Sequence, residues 1–292
     1  MNACAKLLAP YISPLEITFW RGSVAVVFLV LGVIFLKKTH FLKTRNIKAQ
    51  LIRAFVGTAT MTLNMWAIVL LPLSTVSSMR LSAPLLVLFL SWPLLGEKVG
   101  VRRMAAAFAG FFGAAVIINP FSLWGESLPL KGLLVTLAFV LGTASVDLIL
   151  RWIGNKQKEP SLTTAFYFLA ISALLTLPWG LFMHTTPVPD LFTNPYSLWL
   201  LLGMGSFGAL SMVLKSESFK LAPVSIISPV AYSILLWSVF YDWLLWQHLP
   251  SLNVLLGAGV IIAANMYVLL REKHLKKINK KTLPPGDPPL TP

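Results

Sequence analysis

Long apolar runs alternate along this chain with short breaks that are polar and mostly basic. A helix needs about 20 mainly apolar residues to cross roughly 30 Å of hydrocarbon. That window predicts spans at Pro14–Leu36, Ile47–Leu70, Ser74–Leu95, Val101–Ile118, Lys131–Trp152, Ser161–Met183, Tyr196–Leu214, Pro223–Leu245 and Leu252–Leu270. The fold class expected is therefore an all-α polytopic membrane protein with about nine full spans. Met1–Pro10 is too short to span and reads as the last turns of a helix whose beginning is missing. Either the start is assigned late or the chain begins there. A cleaved signal peptide fits poorly, because no basic segment precedes an apolar core.

Local chemistry supports several of these boundaries. Ser13-Pro14-Leu15-Glu16 places a serine at the N-cap, proline at the first helical position and glutamate at the third, which is a capping box. Asn119-Pro120 and Glu159-Pro160-Ser161 break the chain where loops are needed. The segment after Lys281 is proline-rich with no apolar face to bury, and disorder is expected there.

Composition agrees with the pattern: 57% of the 292 residues are hydrophobic and only 12% are charged, so an aqueous fold would lack the polar surface to cover its core. The net charge of +14 raises nucleic acid as a partner, but the placement of the basic residues argues against it. Lys37, Lys38, Lys43, Arg45, Lys48 and Arg53 lie in or beside the first long loop. Every second loop after it is basic, as is the segment from Arg271 to Lys281, whereas the intervening loops hold Lys131 as their only Lys or Arg. By the positive-inside rule the basic loops and the C-terminus face the cytoplasm. The single cysteine, Cys4, excludes an internal disulfide, and the four histidines make no ligand spacing, so no metal or other cofactor is expected.

Two segments are alike. Leu73-Ser74-Thr75-Val76-Ser77, an apolar run containing proline, Gly96-Glu97 and the glycine-rich Gly110–Ile118 correspond to Leu221-Ala222-Pro223-Val224-Ser225, another apolar run, Gln247 and Leu256–Ile262. The offset is roughly half the chain, and with an odd number of helices per half such a duplication is inverted. These residues, with Phe19-Trp20-Arg21-Gly22 and the end of the last span at Tyr267–Glu272, resemble the drug/metabolite transporter superfamily and its EamA-like members. The resemblance implies two inverted five-helix repeats, residues 1–120 with the first helix truncated and residues 128–271, then a basic and proline-rich cytoplasmic tail at 272–292. It departs from the family pattern at Gln247, where glutamate is usual, and in the missing start of the first helix.

An ionisable side chain inside hydrocarbon costs a few kcal/mol or more, so each is a functional candidate. Arg80 is the most informative. Ser77, Arg80, Pro84 and Ser91 share one helical face, and Pro84 frees a carbonyl one turn earlier, as at an unwound substrate site. Arg80 could hold a carboxylate of the solute, or could pair with Asp242 or Asp147, or reach outward to the headgroups. Arg21 suits gating or the fold itself, and Asp147 suits a proton relay or a helix-end pair with Arg151 at i+4. Gly57, Thr60 and Asn64 form one face of their helix, and Ser225, Ser228 and Tyr232 form one face of theirs. The candidate substrate contacts are Arg80, Ser77, Asn64, Tyr232, Ser228 and Trp237, with Arg21 and Asp147 for gating or coupling. Most of the tryptophans belong to the interfacial belt. Small residues at every fourth position, Ala106-Gly110-Ala114 and Gly259-Ala263, are expected to let helices approach closely, within the scaffold or in a homodimer.

The expected function is that of a secondary transporter, not an enzyme. It would move a small polar metabolite, an amino acid or derivative, across a bacterial inner membrane by alternating access. S-adenosylmethionine uptake or exchange and drug efflux are the alternatives. No Walker A, GxSxG or HExxH motif occurs, which disfavours direct ATP coupling and an intramembrane hydrolase. A channel is the remaining rival, and it would show flux without saturation or counter-flow.

Overall fold

The computed structural model describes residues 1–35, 44, 46–95, 101–118, 128–153, 160–182, 194–221 and 232–282. All regular structure among these residues is helical: α1 (Asn2–Leu8), α2 (Pro14–Phe35), α3 (Ile47–Leu70), α4 (Leu73–Arg80), α5 (Ala83–Leu95), α6 (Val101–Ile118), α7 (Leu130–Trp152), α8 (Ser161–Leu181), α9 (Pro195–Leu221), α10 (Ser233–Trp246) and α11 (Leu252–Thr282). Among the described residues six segments are long and apolar enough to cross a membrane: Pro14–Phe35, Ile47–Leu70, Leu73–Leu90, Leu130–Leu150, Leu162–Leu181 and Leu252–Arg271. Met104–Ile118 and Ser233–Trp246 are shorter apolar helices. The proline-rich segment expected to be disordered lies outside the described residues, as do Asn119-Pro120 and Pro223–Ser228.

The expected capping box forms. Glu16 accepts a hydrogen bond from the Ser13 backbone N–H at 2.6 Å, and the Glu16 N–H donates to Ser13 Oγ at 3.4 Å. Two of the donors left over at the start of α2 are thereby satisfied, and Glu16 can be fully buried. Asn46 caps α3 in the same way, its Oδ1 accepting from Ala49 N–H at 3.1 Å. Within the spans, threonine hydroxyls donate back to carbonyls four residues earlier: Thr18 to Pro14, Thr60 to Val56, Thr136 to Gly132 and Thr176 to Ser172. Without water, that is the least costly way to bury a hydroxyl.

The helices fall into two compact units, Met1–Val76 with Pro129–Leu221, and Ser77–Leu128 with Ala222–Pro292. In the first, α2 packs on α8 and α9, α3 packs on α7 and α8, and α1 rests on α9 and α3. Lys6 of α1 donates to the Leu71 carbonyl at 3.0 Å, where α3 ends. In the second unit α6 lies along α11, with α5 against α6.

The α6–α11 crossing corrects one expectation. A Cβ on Gly113 would lie 2.8 Å from the Gly257 carbonyl oxygen and 3.0 Å from Val260 Cβ, so backbone meets backbone there. Gly259, expected to serve close packing within the scaffold or in a homodimer, has nothing of its own chain within 4 Å of where its Cβ would be, so the scaffold role falls to Gly257. Spacing by four singles out Gly259 and Ala263, but the spacing does not say which face of α11 is turned to α6.

One backbone feature is strained. Gln247 closes α10 in the left-handed region at φ 51°, its N–H bonding the Trp243 carbonyl while the His248 N–H bonds the Asp242 carbonyl. The Gln247–Trp243 bond is the αL closure that glycine usually makes. Replacing Gln247 with glycine should stabilise the protein by about 1 kcal/mol, since a side chain in that region costs about 1–2. Thermal unfolding in detergent measures it, and a lower melting temperature for the glycine variant would contradict it.

Candidate functional site

The expected break near Pro84 is present. The helix that starts at Leu73 stops at Arg80, and the chain turns at Leu81 and Ser82 before α5 begins. Pro84 has no N–H to offer the Arg80 carbonyl four residues earlier, so the regular bonding must lapse there. The N–H of Ser82 bonds the Met79 carbonyl at 3.1 Å and its hydroxyl bonds the same oxygen at 2.7 Å, tightening the turn.

A side chain that sequence reading passed over supports the break. Asn265 of α11, 4% exposed, donates through Nδ2 to the Leu81 carbonyl at 2.8 Å and to the Ile261 carbonyl at 3.0 Å. A carbonyl exposed by the interruption is thus satisfied without water. The signal available in the sequence was the asparagine itself, a costly residue inside an apolar run.

The other candidates in this unit are placed as follows. Arg80 is half-buried at the end of α4. Ser77, one turn earlier, is buried, with its Oγ 2.6 Å from Ser238 Oγ on α10. Ser238 itself donates to the Ile234 carbonyl at 2.7 Å, so Ser77 is the donor in the pair. Pro84 is exposed, so the stripe read from Ser77 through Arg80 to Pro84 does not turn one common buried face inward. The side chain of Ser91 lies outside the described residues, and Ser228 does so entirely. Tyr232, half-buried, is the N-cap of α10. Trp237 is 59% exposed, in an aromatic cluster with Phe240 and Tyr241. Asp242 is 1% exposed on the same helix.

In the first unit Asn64 is buried on α3, and its Oδ1 has no hydrogen-bond partner. Arg21 is 7% exposed and donates through Nη1 to the Met61 sulfur, with Gly208 of α9 close to its Nε. Asp147 is half-buried on α7.

Arg53, expected in or beside the first long loop, lies within α3 near its start at 6% exposure, its guanidinium 4.3 Å from the centre of the Phe168 ring. Asp147 of α7 contributes an opposite charge to it, and the side chain of Arg151, the helix-end partner considered for Asp147, lies outside the described residues. Gln50, also buried, donates through Nε2 to Thr164 Oγ1 at 3.4 Å. The face recognised as Gly57, Thr60 and Asn64 therefore begins two turns earlier, at Gln50 and Arg53, with steps of three and four throughout.

A cavity of about 530 Å³ opens on this unit between α3 and α8, lined by Phe55, Thr58, Thr62, Trp66, Thr176 and Trp179. Its walls are mostly apolar and aromatic, and Thr58 Oγ1 is buried there without a partner. No cluster of His, Cys, Asp or Glu suited to a metal occurs among the described residues.

Apolar spans that carry buried polar side chains, one span broken just after an arginine, define a multi-pass membrane protein built to handle polar groups inside the bilayer. The chain belongs to the EamA-like transporter family, whose model matches residues 1–119 and 130–270. It is 27% identical to a riboflavin transporter of Brucella anthropi over 88% of each chain. It is 25% identical to an S-adenosylmethionine uptake transporter of Rickettsia conorii over 96% of this chain and 90% of that one. The pseudopaline exporter CntI of Pseudomonas aeruginosa is 25% identical over 94% of this chain and 92% of its own length. A crystal structure at 15% identity matches with a TM-score of 0.62, covering 94% of this chain and 96% of that one, a likeness of fold.

Proposed function

We propose that this transporter moves a small polar metabolite, an amino acid or derivative, across a bacterial inner membrane by alternating access between two inverted five-helix repeats, residues 1–120 and 128–271. The observation that carries the reading is the interrupted α4–α5 span, with Arg80 at the break and the Leu81 carbonyl held by Asn265. Discontinuous helices place backbone dipoles and freed carbonyls where a polar solute can use them. In this reading Arg80 receives an anionic group of the solute. Ser77, Asn64, Tyr232 and Ser228 supply neutral hydrogen bonds, and Arg21 and Asp147 serve gating or coupling. Trp237 fits less well, because an indole this exposed on a spanning helix suits lipid contact. The basic loops and the tail at 272–292 face the cytoplasm, and a homodimer is the assembly that goes with this arrangement.

A second reading has its own observation. The aromatic walls of the α3–α8 cavity, with Phe55, Trp66 and Trp179, suit a flat ring system, and riboflavin transport is the activity named for one relative. S-adenosylmethionine, named for another, combines a ring with charged groups and falls between the two.

Counter-flow in proteoliposomes tests these together, with labelled amino acids, S-adenosylmethionine and riboflavin offered separately. Saturable exchange of one charged solute is expected, reduced at least about tenfold in Arg80→Ala, as for loss of a charge-assisted hydrogen bond. Exchange of riboflavin alone, unaffected by Arg80→Ala, would select the second reading. Absence of exchange from a folded preparation would count against both.

A further inference from the structure

The buried group that the reading above leaves unused is on α3. Arg53 lies six residues beyond Ile47, about 9 Å along the helix from its start. Its Nε and Nη1 are buried with no hydrogen-bond partner. One turn earlier, Gln50 commits its amide nitrogen to Thr164, which leaves Oε1 buried and also without a partner. Orphaned donors of a cation and an orphaned acceptor thus lie one turn apart on one helix face. Leaving such groups desolvated and unpaired is costly, the charged one most of all. The Phe168 ring offsets part of the cost by receiving the guanidinium on its face. A ring face, however, does not satisfy in-plane N–H groups.

The local sequence is arranged to admit this side chain. Gly57, four residues on, sits directly beneath the guanidinium: a Cβ there would strike Arg53 Nη1 and come within 2.7 Å of the Phe168 ring. The glycine is helical, so its value is the room it leaves and not its backbone freedom. Asp147 adds a negative charge from α7. The set therefore offers cationic donors, a neutral acceptor and an anion. The ligand complementary to all three carries a carboxylate and an ammonium together.

We propose that Arg53, Asp147 and Gln50 form a recognition site for the α-amino-acid headgroup of the transported solute. Arg53 takes the carboxylate, while Asp147 and Gln50 Oε1 take the ammonium. The solute brings two charge-assisted contacts of its own, one to Arg53 and one to Asp147. The inference rests on the transport reading for its biological role and names the chemical class of solute. It assigns the α-carboxylate to Arg53, so that Arg80 receives a different polar or anionic group of the solute.

The test uses purified full-length protein in nanodiscs, melted in the presence of each of the common L-amino acids and S-adenosylmethionine, then of their carboxamides and N-acetyl derivatives. At least one parent compound is expected to raise the melting temperature, and neither of its derivatives should. In Arg53→Gln the half-saturating concentration should rise about 10- to 100-fold, the loss expected for one charge-assisted pair. Arg53→Lys should fall between, because it keeps the charge and loses the planar fork. Gly57→Ala, which crowds the guanidinium and leaves its charge, should weaken binding in the same direction.

The proposal is overturned if carboxamide and N-acetyl compounds stabilise as well as the parents. It is overturned equally if Arg53→Gln binds unchanged, or if no parent compound stabilises the wild type, in which case buried water satisfies these groups. The comparison of derivatives needs only the wild type, so a variant that fails to fold does not block it. Counter-flow separates this outcome from the broader reading. Exchange of riboflavin without amino-acid binding keeps a transporter and removes the headgroup site. Specific stabilisation without any flux keeps the site and removes transport.

Discussion

Valine in place of Gly257 is expected to destroy the packing of α6 against α11. A Cβ at this position would overlap the carbonyl oxygen of Gly113 and come within 3.1 Å of the Ile117 backbone nitrogen. Both are backbone atoms, so no side chain can rotate away and the helices must separate. Helices in lipid associate largely through close van der Waals contact, and separation forfeits that contact along the whole crossing. Overpacking alone costs about 1–3 kcal/mol, and the two added methyls put valine at or beyond the upper end of that range. Alanine should already be measurably destabilising. Gly259→Ala, two residues on, is the control: with nothing within 4 Å of its Cβ it should be neutral or slightly stabilising, by up to about 1 kcal/mol, because alanine is the better helix former. Thermal unfolding in detergent, followed by tryptophan fluorescence, compares the three. Equal melting temperatures for Gly257→Val and Gly259→Ala would mean that the crossing does not depend on backbone contact.

The same pair of glycines shows how far the sequence could be read. Apolar length located the spans, because hydrocarbon thickness is a one-dimensional constraint that a one-dimensional text can express. Eight of the nine expected spans have a helix starting within one residue of the expected boundary, α2 and α3 among them; the exception is the one placed at Pro223, where the described helix, α10, begins at Ser233. The capping box of Ser13 and Glu16 was legible for a similar reason, since its partners lie three residues apart. The face of α11 that meets α6 is a tertiary fact, and Gly257 and Gly259 differ in nothing that composition records.

Arg53 fell between these cases. Its neighbours in sequence, Arg45 and Lys48, made it look like part of a solvated basic loop. The competing signal was its phase: Gln50, Arg53, Gly57, Thr60 and Asn64 keep one helical face. Its coulombic partner, Asp147, is 94 positions away on α7, a pairing that only the packing of α3 on α7 creates. The Pro84 reading went half the distance. The proline did mark an interruption, by a covalent rule that needs no tertiary knowledge. The face assigned across it assumed helical phase through the very turn that breaks the helix, and Pro84 is exposed where an inward position was expected.

Substituting Asn265 should reveal how much the interruption costs when it is left unsupported. The carboxamide gives two hydrogens to two carbonyls, Leu81 at 2.8 Å and Ile261 at 3.0 Å. Ile261 lies four residues earlier on the same helix and keeps its regular helical partner, so Leu81 bears the loss. In Asn265→Leu, of similar size, the site stays filled but the Leu81 carbonyl becomes an unsatisfied acceptor in a dry environment, at a cost of about 1–3 kcal/mol. Asn265→Asp should be worse. A carboxylate oxygen would face the same two carbonyl oxygens at hydrogen-bond distance, and the side chain must then either take up a proton or turn away. The expected order of melting temperature is wild type, then leucine, then aspartate, with aspartate recovering part of its loss at acid pH as it becomes protonated. Counter-flow should follow the same order if the break at Leu81 and Ser82 holds the α4–α5 span in its working shape. A leucine variant as stable as the wild type would show that the carbonyl finds another donor. An aspartate variant that melts above the leucine one near neutral pH would mean that a protonated carboxyl serves as well as the amide.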